Sequence, residues 1–205
     1  MTPAGQFLAA AATVLVGLWS GAALAANVEV SVRDAAGQPV PGAVVFLDSP
    51  QAASVAKPLQ GAEMAQANKT FVPGVLVVTK GTSVAFPNRD TVRHHVYSFS
   101  PAKTFELKLY TGTPANPVVF DRAGVAVLGC NIHDQMVGWV LVLDTPYHGT
   151  TADSGMVTLP NVPPGNYTLR TWHSRLPPGA EAASQPLRVG AGGAKASVGL
   201  RGLQP

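Results

Sequence analysis

The sequence predicts an all-β protein made of short strands joined by frequent turns. Its 205 residues include 21 glycines and 18 prolines, with short runs of Val and Thr between them. Gly and Pro mark turns and the Val/Thr runs mark strands, whereas a helical pattern is hard to find. A hydrophobic content of 46% supports a core in one large or two small domains.

The charged residues are spread along the chain. Fourteen Lys and Arg against 11 Asp and Glu give a formal charge of +3, with no basic cluster that could follow a phosphate backbone. We therefore expect no nucleic-acid partner.

The first 25 residues are predicted to be an export signal. Residues 7–19 are apolar, and Ala23-Leu24-Ala25 is the small-x-small pattern that signal peptidases cut, although no Lys or Arg precedes Arg33. The run is short for a membrane span, and no later stretch is long enough. We expect a periplasmic or otherwise exported protein with no membrane span in the mature chain.

Predicted strands follow from alternating or apolar runs. The mature chain is expected to open with a hairpin-like pair, residues 27–34 and 40–47, and then a connector, residues 49–61. Two weakly alternating runs near the end are expected to be edge strands. The remaining predicted strands are 71–79, 82–88, 94–99, 105–110, 118–120, 125–128, 137–143, 156–159 and 167–172, and the edge strands are 187–189 and 196–200.

One short loop carries three potential metal ligands. Cys130 is the only cysteine, His133 follows three positions later and Met136 six positions later. Thiolate, imidazole and thioether together suit copper. A second imidazole would come from His94 or His95, and since neighbouring strand residues point to opposite faces, only one of the two can reach the metal.

Export strengthens the metal prediction. A lone thiol in an oxidising compartment has no disulfide partner and is exposed to oxidation unless a metal occupies it. A metal with two imidazoles, a thiolate and a thioether has no open position for substrate, so we expect no catalysis there. His148 and His173 are expected to be surface residues.

The central part of the chain resembles the cupredoxins, the small blue copper proteins. The resemblance rests on residues 73–82 (PGVLVVTKGT), 86–90 (FPNRD), 94–98 (HHVYS) and 130–136 (CNIHDQM). The C-x-x-H-x-x-M spacing is most similar to amicyanin, within the plastocyanin-like proteins grouped with methylamine utilisation. Leu128 and Ile132 depart from the family, which often has an aromatic residue and a proline there.

The resemblance implies a Greek-key β-sandwich and one type 1 copper that cycles between Cu(I) and Cu(II). Its ligands would be His94, Cys130, His133 and Met136. His95 in place of His94, and Gln135 in place of Met136, stay open as alternatives.

The flanking segments resemble a different family. Residues 30–45 and 153–169 are similar to the beginning and end of a carboxypeptidase regulatory-like domain, a small transthyretin-like β-sandwich. The expected division is a signal at 1–25, a discontinuous sandwich at 26–57 and 146–205, and a cupredoxin domain at 58–145. In this division the cupredoxin domain is inserted into the outer sandwich, and pairing of residues 28–32 with 167–171 would favour it. The alternative assigns residues 28–47 to the cupredoxin sheet.

The expected function is that of a soluble, exported, monomeric electron carrier that is not an enzyme. Its partners would be redox proteins of the cytochrome or dehydrogenase type. The alternative is a copper-binding or delivery protein whose metal is cargo, although such sites often use a methionine cluster and the chain has only four Met. A second, catalytic copper is disfavoured because Gly129 and Asn131, not histidines, flank Cys130.

Overall fold

The computed structural model describes residues 25–204. Within them it contains seventeen strands and one six-residue helix, so the prediction of an all-β fold is confirmed. The predicted export signal lies outside the described residues, apart from Ala25. The elements in chain order are β1 (Ala26–Arg33), β2 (Val44–Asp48), α1 (Pro50–Val55), β3 (Ala62–Glu63), β4 (Ala65–Ala67), β5 (Thr70–Val72), β6 (Val75–Thr79), β7 (Thr82–Ala85), β8 (His94–Ser100), β9 (Lys103–Tyr110), β10 (Val118–Phe120), β11 (Gly124–Gly129), β12 (Val137–Leu143), β13 (His148–Thr150), β14 (Met156–Val162), β15 (Gly165–Trp172), β16 (Ala183–Val189) and β17 (Ala194–Gly199).

Strands from both ends of the described chain form one sandwich, which we call the terminal sandwich. One sheet has the order β14-β1-β17 and the other β13-β2-β15-β16. Alternate residues of β1 are fully buried, and they pack with Leu47 and Leu169 of the opposite sheet in a single apolar cluster. The two weak runs near the end of the sequence, β16 and β17, are edge strands as predicted.

The middle of the chain forms a second sandwich, which we call the central sandwich. A five-stranded sheet with the order β6-β12-β11-β8-β9 packs on a three-stranded sheet with the order β10-β7-β3. The core between them contains Val96, Leu128 and Val140 from the larger sheet and Val84 and Phe120 from the smaller one. A short hairpin, β4-β5, lies beside this core through buried Phe71.

The two sandwiches meet through the outer faces of their larger sheets. Leu141 and Leu143 of β12 pack with Val44 and Phe46 of β2 and with Trp172 of β15. A cleft of about 570 Å³ opens at the edge of this contact.

The prediction that the first two strands form a hairpin is wrong. The first two strands do not form a hairpin, because β1 pairs with β14 and β17 whereas β2 pairs with β13 and β15. A turn after Arg33 is present, with Arg33 bridging to Pro39, but the chain then crosses to the other sheet. The connector contains α1, which Ser49 caps by accepting a hydrogen bond from the backbone N–H of Ala52 at 3.0 Å.

No helix within residues 25–204 is long and apolar enough to cross a membrane.

Candidate metal centre

The loop that carries Cys130, His133 and Met136 is anchored at both ends by paired strands. β11 and β12 are antiparallel neighbours, and the last residue of β11, Gly129, pairs with the first residue of β12, Val137. The loop is thus a hairpin connection of seven residues, 130–136. Its backbone is fixed further by a 2.8 Å hydrogen bond from the N–H of Met136 to the carbonyl of His133.

His94 reaches this loop because its strand is the next one in the sheet. β8 pairs with β11, with Tyr97 opposite Gly129, so the start of β8 lies beside Cys130. The Nδ1 atom of His94 is 3.8 Å from Cys130 Sγ. One donor atom each from His94, Cys130 and His133 lies within 4.8 Å of the others.

The donor atoms of this group fit a bound metal ion. His94 is fully buried and Cys130 is 3% exposed. His133 is half-buried, and its Nδ1 is buried with no hydrogen-bond partner among the described residues. A buried imidazole nitrogen without a partner costs free energy unless a ligand satisfies it. A metal bound by nitrogen and sulfur at about 2.0–2.3 Å would satisfy this atom and span the His94–Cys130 separation.

Met136 and Gln135 differ sharply in their surroundings. Met136 is 2% exposed and packs in the same apolar cluster as Cys130, whereas the neighbouring Gln135 is exposed. A thioether is the soft donor that copper sites use as a weak fourth ligand. The burial therefore favours Met136 over Gln135.

The two adjacent histidines of β8 lie in different environments. His95 Nε2 is 2.8 Å from Glu106 Oε1, and the His95 ring stacks near Tyr97 with centroids 5.6 Å apart. Its Nδ1 is also buried without a partner among residues 25–204. His95 nevertheless stands outside the group that His94 forms with Cys130 and His133.

A carboxylate that the sequence analysis did not single out holds the His94 ring. Asp90 Oδ2 is 2.8 Å from His94 Nε2. Hydrogen bonds from the Lys69 N–H, from His94 and from the Asn68 N–H lower the pKa of Asp90 below its usual range. The ionised carboxylate accepts a hydrogen bond from Nε2, so Nδ1 is the ring nitrogen that faces Cys130 and is placed to bind a metal.

The hairpin β4-β5 supplies the two N–H groups that bind Asp90. Asn68 and Lys69 connect its strands, and their φ angles of 53° and 58° turn both N–H groups toward the carboxylate. Asn is enriched at such positive φ values, whereas Lys is not. Nothing in the local pattern of either segment indicates this contact, because 22 and 21 residues separate Asn68 and Lys69 from Asp90.

Polar side chains behind Asp90 complete the support. Asn88 donates to the carbonyls of Val92 and Tyr110 and accepts from the Asp90 N–H. The Tyr110 hydroxyl donates to the Phe86 carbonyl at 2.7 Å, and burial raises the pKa of Tyr110 to about 12. The hydroxyl therefore stays protonated and keeps its hydrogen bond to Phe86, at the start of the segment that leads to His94.

The remaining histidines lie in the terminal sandwich. His148 is half-buried in β13, where the sequence indicated a turn. The prediction of a surface position is wrong for His173, which is 8% exposed because its Nε2 donates to the Pro41 carbonyl and its Nδ1 accepts from the Arg175 N–H. Neither residue belongs to a metal-ligand group among the described residues.

The strand pairing and the His-Cys-His group define a β-sandwich protein in which two buried donors and one half-buried donor lie close enough to hold a metal ion. No family model matches the chain, and no curated protein matches it in sequence.

Solved structures that match part of this chain include cupredoxins, the family that residues 71–143 resemble. A purple cupredoxin from Nitrosopumilus maritimus is 26% identical, with a TM-score of 0.36, over 40% of this chain and 99% of its own. A reduced Cu(I) form of an amicyanin variant is 22% identical, with a TM-score of 0.38, over 48% of this chain and 98% of its own. A second reduced amicyanin variant is 26% identical, with a TM-score of 0.36, over 50% of this chain and 99% of its own. The matches span half of this chain or less, and the carboxypeptidase regulatory-like resemblance stays a prediction.

Proposed function

We propose that the chain is a type 1 copper protein that carries single electrons between redox proteins outside the cytoplasm. The observation that carries this proposal is the convergence of His94 Nδ1, Cys130 Sγ and a His133 nitrogen within 4.8 Å. In this proposal His94, Cys130 and His133 are the strong ligands and Met136 is the weak one. Bound copper would supply a one-electron Cu(I)/Cu(II) couple.

The surroundings of the donors favour fast electron transfer. Paired strands hold both ends of the Cys130 loop, and Asp90 holds the His94 ring. A donor set that is fixed before the metal changes its charge moves little during transfer, so little reorganisation is required. Burial of Cys130 and Met136 keeps water away from the sulfur ligands.

His133 differs from the other donors because its ring is only half-buried. The exposed residues Ile132 and Asp134 lie on either side of it. In the proposed carrier the edge of His133 is the point at which a redox partner receives or donates the electron.

We also propose that the chain has the discontinuous organisation expected from its flanking segments. Pairing of β1 with β14 and β17, and of β2 with β13 and β15, supports a terminal sandwich interrupted by residues 58–145. The particular pairing of residues 28–32 with 167–171 is not found, since β15 pairs with β2 instead. The proposed role of the terminal sandwich is to position the carrier against a partner or a component of the cell envelope.

The test is a copper titration of the chain without residues 1–25. One equivalent of Cu(II) should give an intense sulfur-to-copper absorption band and a narrow copper hyperfine splitting in electron paramagnetic resonance. His94→Ala and Cys130→Ala should abolish the band, whereas the matched variant His95→Ala should retain it. A weak tetragonal copper signal that survives Cys130→Ala would overturn the proposal in favour of copper binding or delivery.

A further inference from the structure

The cleft at the contact of the two sandwiches is large enough to hold a ligand. It has a volume of about 570 Å³ and lies between the outer faces of their larger sheets. Ligand sites in proteins have volumes of about 300–1,000 Å³ and occur preferentially at domain interfaces. None of the proposed metal ligands lines this cleft, so it is a candidate site separate from the metal centre.

The floor of the cleft is apolar and includes two tryptophans. Trp139 of β12 is half-buried and Trp172 of β15 is 5% exposed. Phe46 and Leu141 pack with them in one apolar cluster and also line the cleft. An indole presents a flat apolar ring that carries a single polar N–H. A ligand on this floor therefore needs a flat apolar face.

The rim of the cleft carries charged groups of both signs in equal number. They are three carboxylates and three cations: Asp48, Asp144, Glu181, Arg122, Arg170 and, through its pair with Asp144, Lys80. Two ion pairs join four of these groups, with N–O distances of 2.9 Å at Asp48 and 3.0 Å at Asp144. Arg122 and Glu181 are exposed, and neither forms an ion pair within residues 25–204. Because the formal charges cancel, the rim has no net attraction for a charged ligand.

The rim groups supply both kinds of hydrogen-bonding atom. Carboxylates accept hydrogen bonds, whereas guanidinium and ammonium groups donate them. An apolar ligand that covered the rim would leave these charged groups without partners, which costs free energy. A ligand with many hydroxyl groups satisfies donors and acceptors alike, because each hydroxyl both donates and accepts. A sugar ring combines such hydroxyls with an apolar C–H face that fits the tryptophan floor.

A second cleft continues the first. It has a volume of about 550 Å³, and Asp48 and Asp144 line both clefts. The second cleft is also lined by the polar residues Ser49, Asn166 and Thr168. We call the two clefts together the junction groove. Because they meet at the two carboxylates, the junction groove suits an elongated ligand better than a single ring.

We propose that the junction groove binds an uncharged oligosaccharide chain. One sugar ring lies on Trp139, and hydroxyls of the chain bond to the exposed Arg122 and Glu181. The chain continues past Asp48 toward Asn166. This inference rests on the proposed function and narrows it, since the envelope component against which the terminal sandwich positions the carrier is then a neutral saccharide.

The test uses tetrasaccharides and the indole N–H signals in the proton magnetic resonance spectrum. The chain without residues 1–25 contains every strand of the structure and lacks Trp19. Trp139 and Trp172 are its only tryptophans, so both indole signals report on the cleft. The probes are cellotetraose, maltotetraose and tetra-N-acetylchitotetraose, with phenol as an uncharged aromatic comparison.

Two matched variants each remove one exposed arginine. Arg122 donates to the Pro101 carbonyl and Arg33 donates to the Gly37 carbonyl, but Arg33 belongs to β1 and lines neither cleft. We expect at least one tetrasaccharide to shift both indole signals, and Arg122→Ala to weaken its binding about fivefold or more through loss of hydrogen bonds. The control Arg33→Ala should bind within about twofold of wild type.

The outcomes separate the junction groove from the metal centre. Indole signals that no tetrasaccharide shifts, or an unchanged affinity in Arg122→Ala, would overturn the saccharide site; a shift with phenol alone would identify an apolar ligand instead. The copper titration is performed on the same samples. Saccharide binding without the sulfur-to-copper band would support the groove and overturn the electron carrier, whereas the band without saccharide binding would overturn the groove alone.

Discussion

Replacing Gly129 with Ala tests whether the Tyr97 ring is seated on the backbone beside Cys130. The added methyl would be 2.7 Å from two Tyr97 atoms, whereas carbon atoms in contact are about 3.5–4.0 Å apart. The ring or β11 must therefore move by about 1 Å. Overpacking of this kind costs about 1–3 kcal/mol. At about 2–4 °C per kcal/mol for a chain of this size, we expect the Tm to fall by about 2–12 °C.

The assay is thermal unfolding followed by circular dichroism, with Gly199→Ala as the matched control. Gly199 lies in β17 with nothing within 4 Å of an added methyl, so its replacement should change stability by less than about 1 kcal/mol. Tyr97→Ala removes the ring that the added methyl would touch. The double variant Gly129→Ala/Tyr97→Ala should therefore lose less stability than the sum of the two single variants, by about 1 kcal/mol or more. Equal Tm values for the two glycine variants would refute the close contact.

Three further changes test the metal centre and the terminal sandwich. Asp90→Asn should weaken copper binding about 10–100-fold in a chelator competition, because His94 loses its orienting carboxylate. The control Asp121→Asn removes an exposed carboxylate paired with Lys103 and should leave the copper affinity unchanged. Equal copper affinities of the two variants would contradict the role of Asp90. The Met136 side chain lies in the core, so Met136→Leu should lower the free energy of unfolding in urea by less than about 1.5 kcal/mol and Met136→Ala by about 2–5 kcal/mol. Equal losses for the two variants would contradict a packing role for Met136. Burial, and to a smaller extent the charge of Arg175, lowers the pKa of His173 below 6.5. The folded state thus favours the neutral imidazole, so the contribution of His173 to stability is present above pH about 6.5 and is lost as the pH falls below that value. Urea midpoints at pH 7.5 and 5.5 should therefore differ more in the wild type than in His173→Gln, and an equal difference would contradict this assignment.

The metal centre shows which part of a site local sequence can predict. Cys130, His133 and Met136 belong to one seven-residue loop, so their spacing alone indicated a common centre. Strand alternation narrowed the second imidazole to one of His94 and His95, and the structure brings His94 to the loop. Asp90 was not predicted, because its partners Asn68, Lys69 and His94 come together only when the hairpin β4-β5 packs beside β8.

The Tyr97–Gly129 contact could not be predicted for a similar reason. Each residue is unremarkable within its own strand, and 32 positions, the difference between 97 and 129, separate them. Their meeting depends on the register of β8 against β11, which apolar alternation specifies only to within a two-residue shift.

The sequence by itself determined the all-β class and most strand positions, and it pointed to three candidate donors in the Cys130 loop, because strand periodicity and loop spacing are local properties of the chain. Tertiary structure decided the partners of the strands: β1 and β2 separate into different sheets, and strands from both ends of the chain pair with each other. Pairing between distant segments is set by the apolar area that each arrangement buries and by side-chain fit across strands. The same long-range pairing brings Asp90 to His94 and the Tyr97 ring to the backbone beside Cys130.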